Sequence, residues 1–303
     1  MSLYSTYVKR SITQNLVLHE LNKDNVMLFV KRDDLIHQEV SGNKFRKLKY
    51  NIEKAKAHNC QTLITYGGAY SNHLLAVAAV GLLENLKTIG VVRGDELNQG
   101  SNKLLKRCAD LGMQLRFIDR TQYKFKKYYD GVNQTDAESV LHIPEGGANR
   151  EGILGCRDII TETNNDYDFI FVAQGTCATS IGIYMAMAAK TKLIVVPVLK
   201  GFDSVMEMKK LAEKVDVKVD ENRVEVLADY HFGGYAKSSA SLNQFVDCFN
   251  TQYQFNIEPI YTGKVVFAMQ RYLAKVKGNK KALFVHTGAV SYTHLTLPTI
   301  LLV

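Results

Sequence analysis

The sequence predicts an α/β protein built on parallel sheets. Short, almost wholly apolar runs alternate with stretches of helical periodicity through most of the 303 residues. Runs that are apolar on both sides are the strands of a sheet covered by helices on both faces, and such sheets are parallel.

Residues 62–66 form the first clear strand, followed by Gly67-Gly68 and a helix over about 71–84. A strand at 88–92, a helix over 101–111 and a strand at 114–118 come next. Later, a strand at 169–173 leads to a helix over 180–190 and a strand at 193–197, and a last strand spans 282–285. Ligands in parallel sheets bind where strands end and helices begin, which directs attention to three turns. In the first, Gly67 to His73, the paired glycines let a ligand approach the backbone, and Ser71, Asn72 and His73 add hydroxyl, amide and imidazole groups at a helix start. The second runs Gln174-Gly175-Thr176-Cys177-Ala178-Thr179-Ser180, a loop of small and hydroxylic residues feeding a helix and suited to phosphate. It is neither a Walker A loop nor G-x-G-x-x-G, which disfavours ATP and NAD. Cys177 reads either as a thiol of lowered pKa at a helix start or as a small residue that fits. The third is His286-Thr287-Gly288, where Thr287 offers a neutral hydroxyl to a ring nitrogen. Tyr235, in an aromatic, glycine-rich loop, and Tyr261 are candidates for acid/base or positioning roles.

Lys44 lies in Ser41-Gly42-Asn43-Lys44-Phe45-Arg46-Lys47-Leu48, in the first turn of a helix that Ser41 or Asn43 would cap. A cation is ill placed at the positive end of a helix. It loses its proton more readily there, and a neutral amine attacks carbonyl carbon. Lys44 is therefore a candidate Schiff-base lysine.

Composition narrows the classes. The formal charge is +8, with lysines spread along helical stretches and no Arg-rich run interleaved with aromatics, so nucleic acid is not an expected partner and small anions are. Five widely spaced cysteines without C-x-x-C fit a reduced, cytoplasmic protein. No apolar run is long enough to span a membrane, no signal-peptide pattern opens the chain, and the eight histidines lack metal-ligand spacing.

With these segments together, the chain from about residue 31 to 288 resembles the fold-type II pyridoxal-phosphate enzymes. Within them it is most similar to the 1-aminocyclopropane-1-carboxylate deaminase and D-cysteine desulfhydrase family. The S-G-N-K-x-R-K-L and G-G-x-x-S-N-H segments carry the resemblance, supported by Ile143-Pro144-Glu145-Gly146-Gly147 and Tyr261-Thr262-Gly263-Lys264. It implies two α/β domains of tryptophan synthase β-like fold, with a small one (48–156) inserted into a large one (1–47 and 157–303). It further implies pyridoxal 5'-phosphate bound covalently by Lys44, with Asn72 at the ring oxygen. Gly175, Thr176, Cys177, Ala178 and Thr179 would hold the phosphate, and Thr287 would approach the pyridine nitrogen. Ser71, Asn72, His73, Tyr235 and Tyr261 would surround a small amino acid, with Lys44, Ser71 and Tyr261 catalytic. A homodimer is implied as well. His73 and Thr262 resemble the desulfhydrase side, which favours D-cysteine, cleaved to sulfide, pyruvate and ammonia. 1-Aminocyclopropane-1-carboxylate is the alternative, and a catalytically inactive binding protein of the same fold is the rival from another class. A nicotinamide oxidoreductase is disfavoured by the missing fingerprint. Ala178 and Ala236 stand where the family pattern has glycine. From about Ala289 the chain departs from the pattern altogether and resembles a translated sequencing adapter, so the native sequence is expected to end near 288.

Overall fold

The computed structural model describes residues 3–18, 26–40, 42–125, 140–163 and 166–288. Ser41 and the tail expected to be foreign, 289–303, lie outside them.

Helix α1 (Leu3–Tyr7) leads to strands β1 (Thr13–Asn15) and β2 (Val26–Arg32) and helix α2 (Asn43–Ala57). Then follow β3 (Thr62–Gly68), α3 (Asn72–Leu83), β4 (Lys87–Arg93), α4 (Lys103–Asp110), β5 (Gln114–Ile118), α5 (Arg120–Phe125) and β6 (Val140–Ile143). The chain continues through α6 (Arg150–Thr161), β7 (Phe169–Gln174), α7 (Ala178–Ala186), β8 (Lys192–Pro197), α8 (Ser204–Ala212) and β9 (Val224–Val226). Helices α9 (Ala240–Gln252) and α10 (Thr262–Leu273) precede the last described strand, β10 (Lys280–His286).

The strands form two sheets, ordered β1-β2-β10-β7-β8-β9 and β5-β4-β3-β6. Every pairing is parallel except the edge pair β1–β2. The α/β expectation thus holds, and the pleat explains why the strands read as unbroken apolar runs. In β10, Ala282 and Phe284 enter one core with α9 and α10, while Leu283 and Val285 enter another with α6 and α7. The smaller sheet packs on α2, α3 and α4 in a third core, which also takes Tyr4, Ile36 and Val40. The expected domain boundaries at 47/48 and 156/157 fall inside α2 and α6. Among the described residues no helix is long and apolar enough to cross a membrane.

Two expectations about helix ends need correction. The helix expected over 180–190 is α7, which starts at Ala178 and stops at Ala186. Met187 turns to extended backbone, and the Ala-rich tail that looked helical forms the turn into β8. Asn43 is not the cap of α2 either. Gly42 holds that position with φ +57°, and a Cβ there would lie 1.8 Å from the Thr287 carbonyl oxygen. Only glycine allows this approach of α2 to the end of β10.

Helices α2, α6 and α7 touch almost backbone to backbone. A Cβ on Gly155 would meet the Arg46 carbonyl oxygen at 1.9 Å, and one on Gly182 the Ile153 carbonyl oxygen at 2.6 Å. Beneath them, the Arg46 guanidinium, 1 % exposed, donates to Asp33 Oδ1 at 2.8 Å and Oδ2 at 3.1 Å, and to Glu162 Oε2 at 2.7 Å. Lys31 Nζ donates to the same Glu162 oxygen at 3.0 Å. Burial pushes the Asp33 carboxyl up, but the Arg46 charge and hydrogen bonds outweigh it and hold the group below the usual aspartate range. Removing one partner of a buried pair strands the other charge. Asp33→Ala should therefore destabilise the fold by about 3 kcal/mol, read as a lower urea midpoint with an unchanged slope. An unchanged midpoint would mean that Glu162 alone satisfies Arg46.

Candidate active site

Four strand ends meet the start of α2. Thr287, just past β10, accepts a hydrogen bond on its carbonyl from the Asn43 amide at 3.1 Å. The Asn43 side chain donates to Thr179 Oγ1 at 2.9 Å and accepts from Lys44 Nζ at 3.0 Å. One asparagine thus ties Lys44 to the loop after β7 and to the end of β10. Lys47, one turn on and buried, donates to the Gly146 carbonyl at 2.9 Å and approaches Thr176 Oγ1 at 3.4 Å. Gly147, with φ +66°, would place a Cβ 3.2 Å from Lys47 and 3.5 Å from His73 Cε1. The turns after β3, β6, β7 and β10 therefore converge on one turn of helix.

This corner is positively charged and starved of anions. Among the described residues neither Lys44 nor Lys47 has a carboxylate within ion-pair distance. Burial lowers the Lys44 amine to about 7, with the Lys47 charge as second cause. The helix-end argument from sequence pointed in the same direction, but the causes the structure supplies are desolvation and a neighbouring cation. Burial lowers Lys47 too. His73, 2 % exposed, is pushed well below the usual imidazole range by burial and then by both lysines, so it is neutral near pH 7.

The loop after β7 matches this charge. Cys177 stands at the N-cap of α7 with φ +62° and no side-chain cap. The amides of Thr179 and Ser180, in the first turn, have no acceptor within the helix. Position 175 is open: a Cβ on Gly175 would meet only Tyr261 Cε1, at 3.9 Å. Burial drives the Cys177 thiol up to about 12, so of its two readings the small residue stands and the activated thiol is corrected.

On the other side, Ser71 occupies the N-cap of α3 without making a side-chain cap bond. Its hydroxyl is not spent on the helix, as a capping reading would have it. Tyr235 and Tyr261 meet edge to face, with centroids 6.0 Å apart, and Tyr235 Oη donates to the Tyr70 carbonyl at 3.4 Å. Burial and then Tyr235 raise the Tyr261 phenol well above its usual value. It is a proton donor at neutral pH, not a resident base. Thr262 does not join this wall. It is fully buried, and its hydroxyl donates to Glu258 Oε1 at 3.1 Å and accepts from the Glu258 amide at 2.9 Å.

Comparison with known proteins agrees with this geometry. Residues 12–288 match the model of the family described as pyridoxal-phosphate dependent enzyme. The chain belongs to that family. A protein of Pyrococcus horikoshii, provisionally named a 1-aminocyclopropane-1-carboxylate deaminase, is 32 % identical over 282 residues, covering 88 % of this chain and 85 % of its own. The bifunctional D-cysteine desulfhydrase/1-aminocyclopropane-1-carboxylate deaminase of Arabidopsis thaliana, a mitochondrial protein, is 26 % identical over 87 % of this chain and 72 % of its own. Among solved structures, an ACC deaminase homologue superposes with TM-score 0.79 at 24 % identity over 95 % of both chains. A fungal L-serine ammonia-lyase from Rhizomucor miehei does so with TM-score 0.66 at 14 % identity, covering 93 % of this chain and 94 % of that one.

The residues present fit the family's cofactor. A phosphate monoester needs amide donors and a cation, which the α7 start and Lys47 offer. An aldehyde needs a partly neutral amine, which Lys44 offers. Two buried polar groups beside the loop, the Gln174 amide and the Ser180 hydroxyl, have no hydrogen-bond partner among the described residues. Asn43 and Lys47 were missed as site residues by sequence reasoning. Lys47 had a signal, since three residues after Lys44 it shares the same helix face; for Asn43 the motif suggested only a cap.

In this corner the Lys47 charge depresses the Lys44 amine. In cofactor-free protein, reductive methylation of Lys44 should reach half its limiting rate near pH 7. Lys47→Met should move that midpoint upward, because the cation that disfavours protonated Lys44 is gone. A midpoint that stays or falls would show that the Lys47 charge does not govern Lys44.

Proposed function

We propose that this enzyme is a lyase that removes the β-substituent and the amino group of a small amino acid, with D-cysteine preferred. Water enters, and sulfide, pyruvate and ammonia leave. The observation that carries the preference is Thr287, a neutral residue whose backbone abuts the helix start bearing Lys44. The resemblance puts its hydroxyl at the pyridine nitrogen, where a carboxylate would hold the ring protonated and a hydroxyl leaves it neutral. Bound pyridoxal phosphate supplies the ring that takes up the electron pair left at the substrate's α-carbon. A neutral ring is a weaker sink, sufficient where a thiolate departs readily.

In this reading Lys44 would hold the cofactor, and its amine is the base that would take the substrate's α-proton. The pKa of about 7 supports both roles, since the amine exchanges a proton near neutrality. Tyr261, protonated, gives a proton to the departing sulfur. Ser71 is free to orient the substrate, Asn72 meets the ring oxygen, and the loop from Gly175 to Thr179 with Lys47 holds the phosphate. Five free cysteines, four of them buried, support a reducing compartment such as the cytoplasm.

One observation favours a second reading. The Pyrococcus and Thermotoga relatives carry the provisional name 1-aminocyclopropane-1-carboxylate deaminase. Opening a cyclopropane needs a nucleophile or a differently placed base, and the uncommitted Ser71 hydroxyl is the candidate. Thr262, capped against Glu258, no longer argues for either substrate.

Two measurements test the assignment. Borohydride trapping followed by peptide mapping should place the cofactor on Lys44, and label on another lysine would sink the site. D-cysteine should release sulfide and pyruvate faster than 1-aminocyclopropane-1-carboxylate yields 2-oxobutanoate. An equal or higher rate from the cyclopropane would reverse the substrate preference and leave the cofactor assignment standing.

A further inference from the structure

We propose that Lys264 is a positioning residue for Tyr235: by holding the carbonyls of His231 and Gly234 it sets the angle at which that ring meets Tyr261. The inference rests on the reading above, in which the two tyrosines face the substrate.

Lys264 stands in the first turn of α10, with 0 % of its surface exposed. Its ammonium donates to the His231 carbonyl at 2.8 Å and the Gly234 carbonyl at 2.9 Å. No carboxylate lies within ion-pair distance among the described residues. Burying a cation on two neutral acceptors is a costly way to fill space, and a methionine would fill it without the cost. What the ammonium does is fasten a loop that does not hold its shape cheaply. Phe232, Gly233, Gly234 and Ala236 all have positive φ, at 49°, 92°, 116° and 56°. For Phe232 and Ala236 that backbone is strained, and it persists only where surrounding contacts over-determine it. Among the described residues the hydrogen bonds donated by the loop's own amides are short-range: the Gly234 amide to the His231 carbonyl, the Gly233 amide to His231 Nδ1, and the Lys237 amide to the Gly234 carbonyl. Packing of Phe232 on Phe267 adds an apolar tie to the same helix.

Tyr235 follows Gly234 directly, so the acceptor that Lys264 holds is the carbonyl of the peptide unit leading into Tyr235. Tyr235 is 41 % exposed, and its ring is held at its edge by Tyr261 and at its hydroxyl by the Tyr70 carbonyl, so the angle it takes follows from where the backbone places it. Its partner Tyr261 is fixed from the same helix start, where Glu258 Oε1 accepts from the amides of Tyr261 at 3.0 Å and Thr262 at 2.8 Å. The start of α10 and the residues just before it therefore bear on both rings: the Glu258 carboxylate holds the Tyr261 amide, and Lys264 holds the Gly234 carbonyl across the loop. Burial lowers the Lys264 amine to about 8, with Glu258 opposing, in keeping with an ammonium that has no full counter-charge.

The test is a double-mutant cycle on the holoenzyme. Lys264→Met should lower kcat/KM for D-cysteine at least ~10-fold in the wild-type background, the scale of one lost buried charge-assisted hydrogen bond, and under ~2-fold in a Tyr235→Ala background, because coupled residues are non-additive. Cofactor affinity by absorbance titration should be unchanged, and amide exchange over 231–237 should accelerate. Lys264→Gln, which keeps one donor, should recover part of the loss. Additive effects, unchanged exchange in the loop, or loss of cofactor binding would each overturn the proposal. So would failure of both Lys264 variants to fold, which would make the residue a structural one. The exchange measurement does not depend on turnover. If neither D-cysteine nor the cyclopropane is consumed, the substrate reading fails, while the loop exchange still decides what Lys264 does.

Discussion

Three cations are crowded into one turn of α2, and among the described residues only one of them meets carboxylates. Arg46 is clasped by Asp33 and Glu162. Lys44 and Lys47, on the other side of the same turn, have neutral acceptors only among the described residues. The difference follows from geometry. Arg46 points toward β2 and the end of α6, where carboxylates are supplied. The two lysines point toward the ends of β6 and β7, where the chain supplies glycine, threonine and amides. A helix with all three cations uncompensated would not stay docked in a core, and a helix with all three paired would have no amine to offer. The fold anchors the helix through Arg46 and leaves its neighbours in charge deficit. A ligand anion that binds only the folded chain then adds to stability by mass action, about 2.7 kcal/mol when present at a hundred times its Kd.

Placement of that helix depends on missing side chains as much as on charges. Gly42, Gly155 and Gly182 each stand where a Cβ would strike a carbonyl oxygen. Through them α2 meets the end of β10, α6 meets α2, and α7 meets α6. The loop at the head of α7 and the start of α2 that bears Lys44 are thereby held in register by backbone contact, which side-chain motion does not loosen. The tyrosine wall is built differently. Tyr235 reaches the site on a loop, touches the Tyr70 carbonyl on the small-sheet side, and has a buried lysine on the carbonyl that precedes it. The α2–α6–α7 side of the site is held by backbone contact, and the tyrosine side is tied at points.

This division marks what the sequence made legible. Strands such as β7 and β10 could be read because both of their faces are buried, so local composition alone declares them. The three strand-end turns could be found because parallel sheets gather their strand ends on one edge. What could not be read is long-range. Arg46 meets Glu162 across 116 positions of chain, and nothing local distinguishes it from Lys44 or Lys47. Asn43 looked like a cap because asparagine before a helical run commonly is one. Gly42 takes that place, since the approach to Thr287 excludes any side chain, and Asn43 is thereby released to bridge Lys44 and Thr179. Thr262 looked like a mark of the desulfhydrase side because it follows Tyr261, but successive residues of a helix face different ways, and Glu258 claims it.

Lys264 carries the same point further. In sequence it belongs to the run Tyr261-Thr262-Gly263-Lys264, whose value seemed to lie in the tyrosine. The structure spreads the work over the whole run and its flank. Glu258 accepts the amides at the helix start, and Thr262 completes that cap. Gly263 lets the turn close on the Glu258 carbonyl, where a Cβ would sit at 2.8 Å, and Lys264 reaches back to the opposing loop. Only the tyrosine ring is turned toward the open position over Gly175. A short motif can thus be specific because most of its residues build the stand on which one of them is mounted. The chemistry tolerates few changes at the ring, and packing tolerates few changes beneath it.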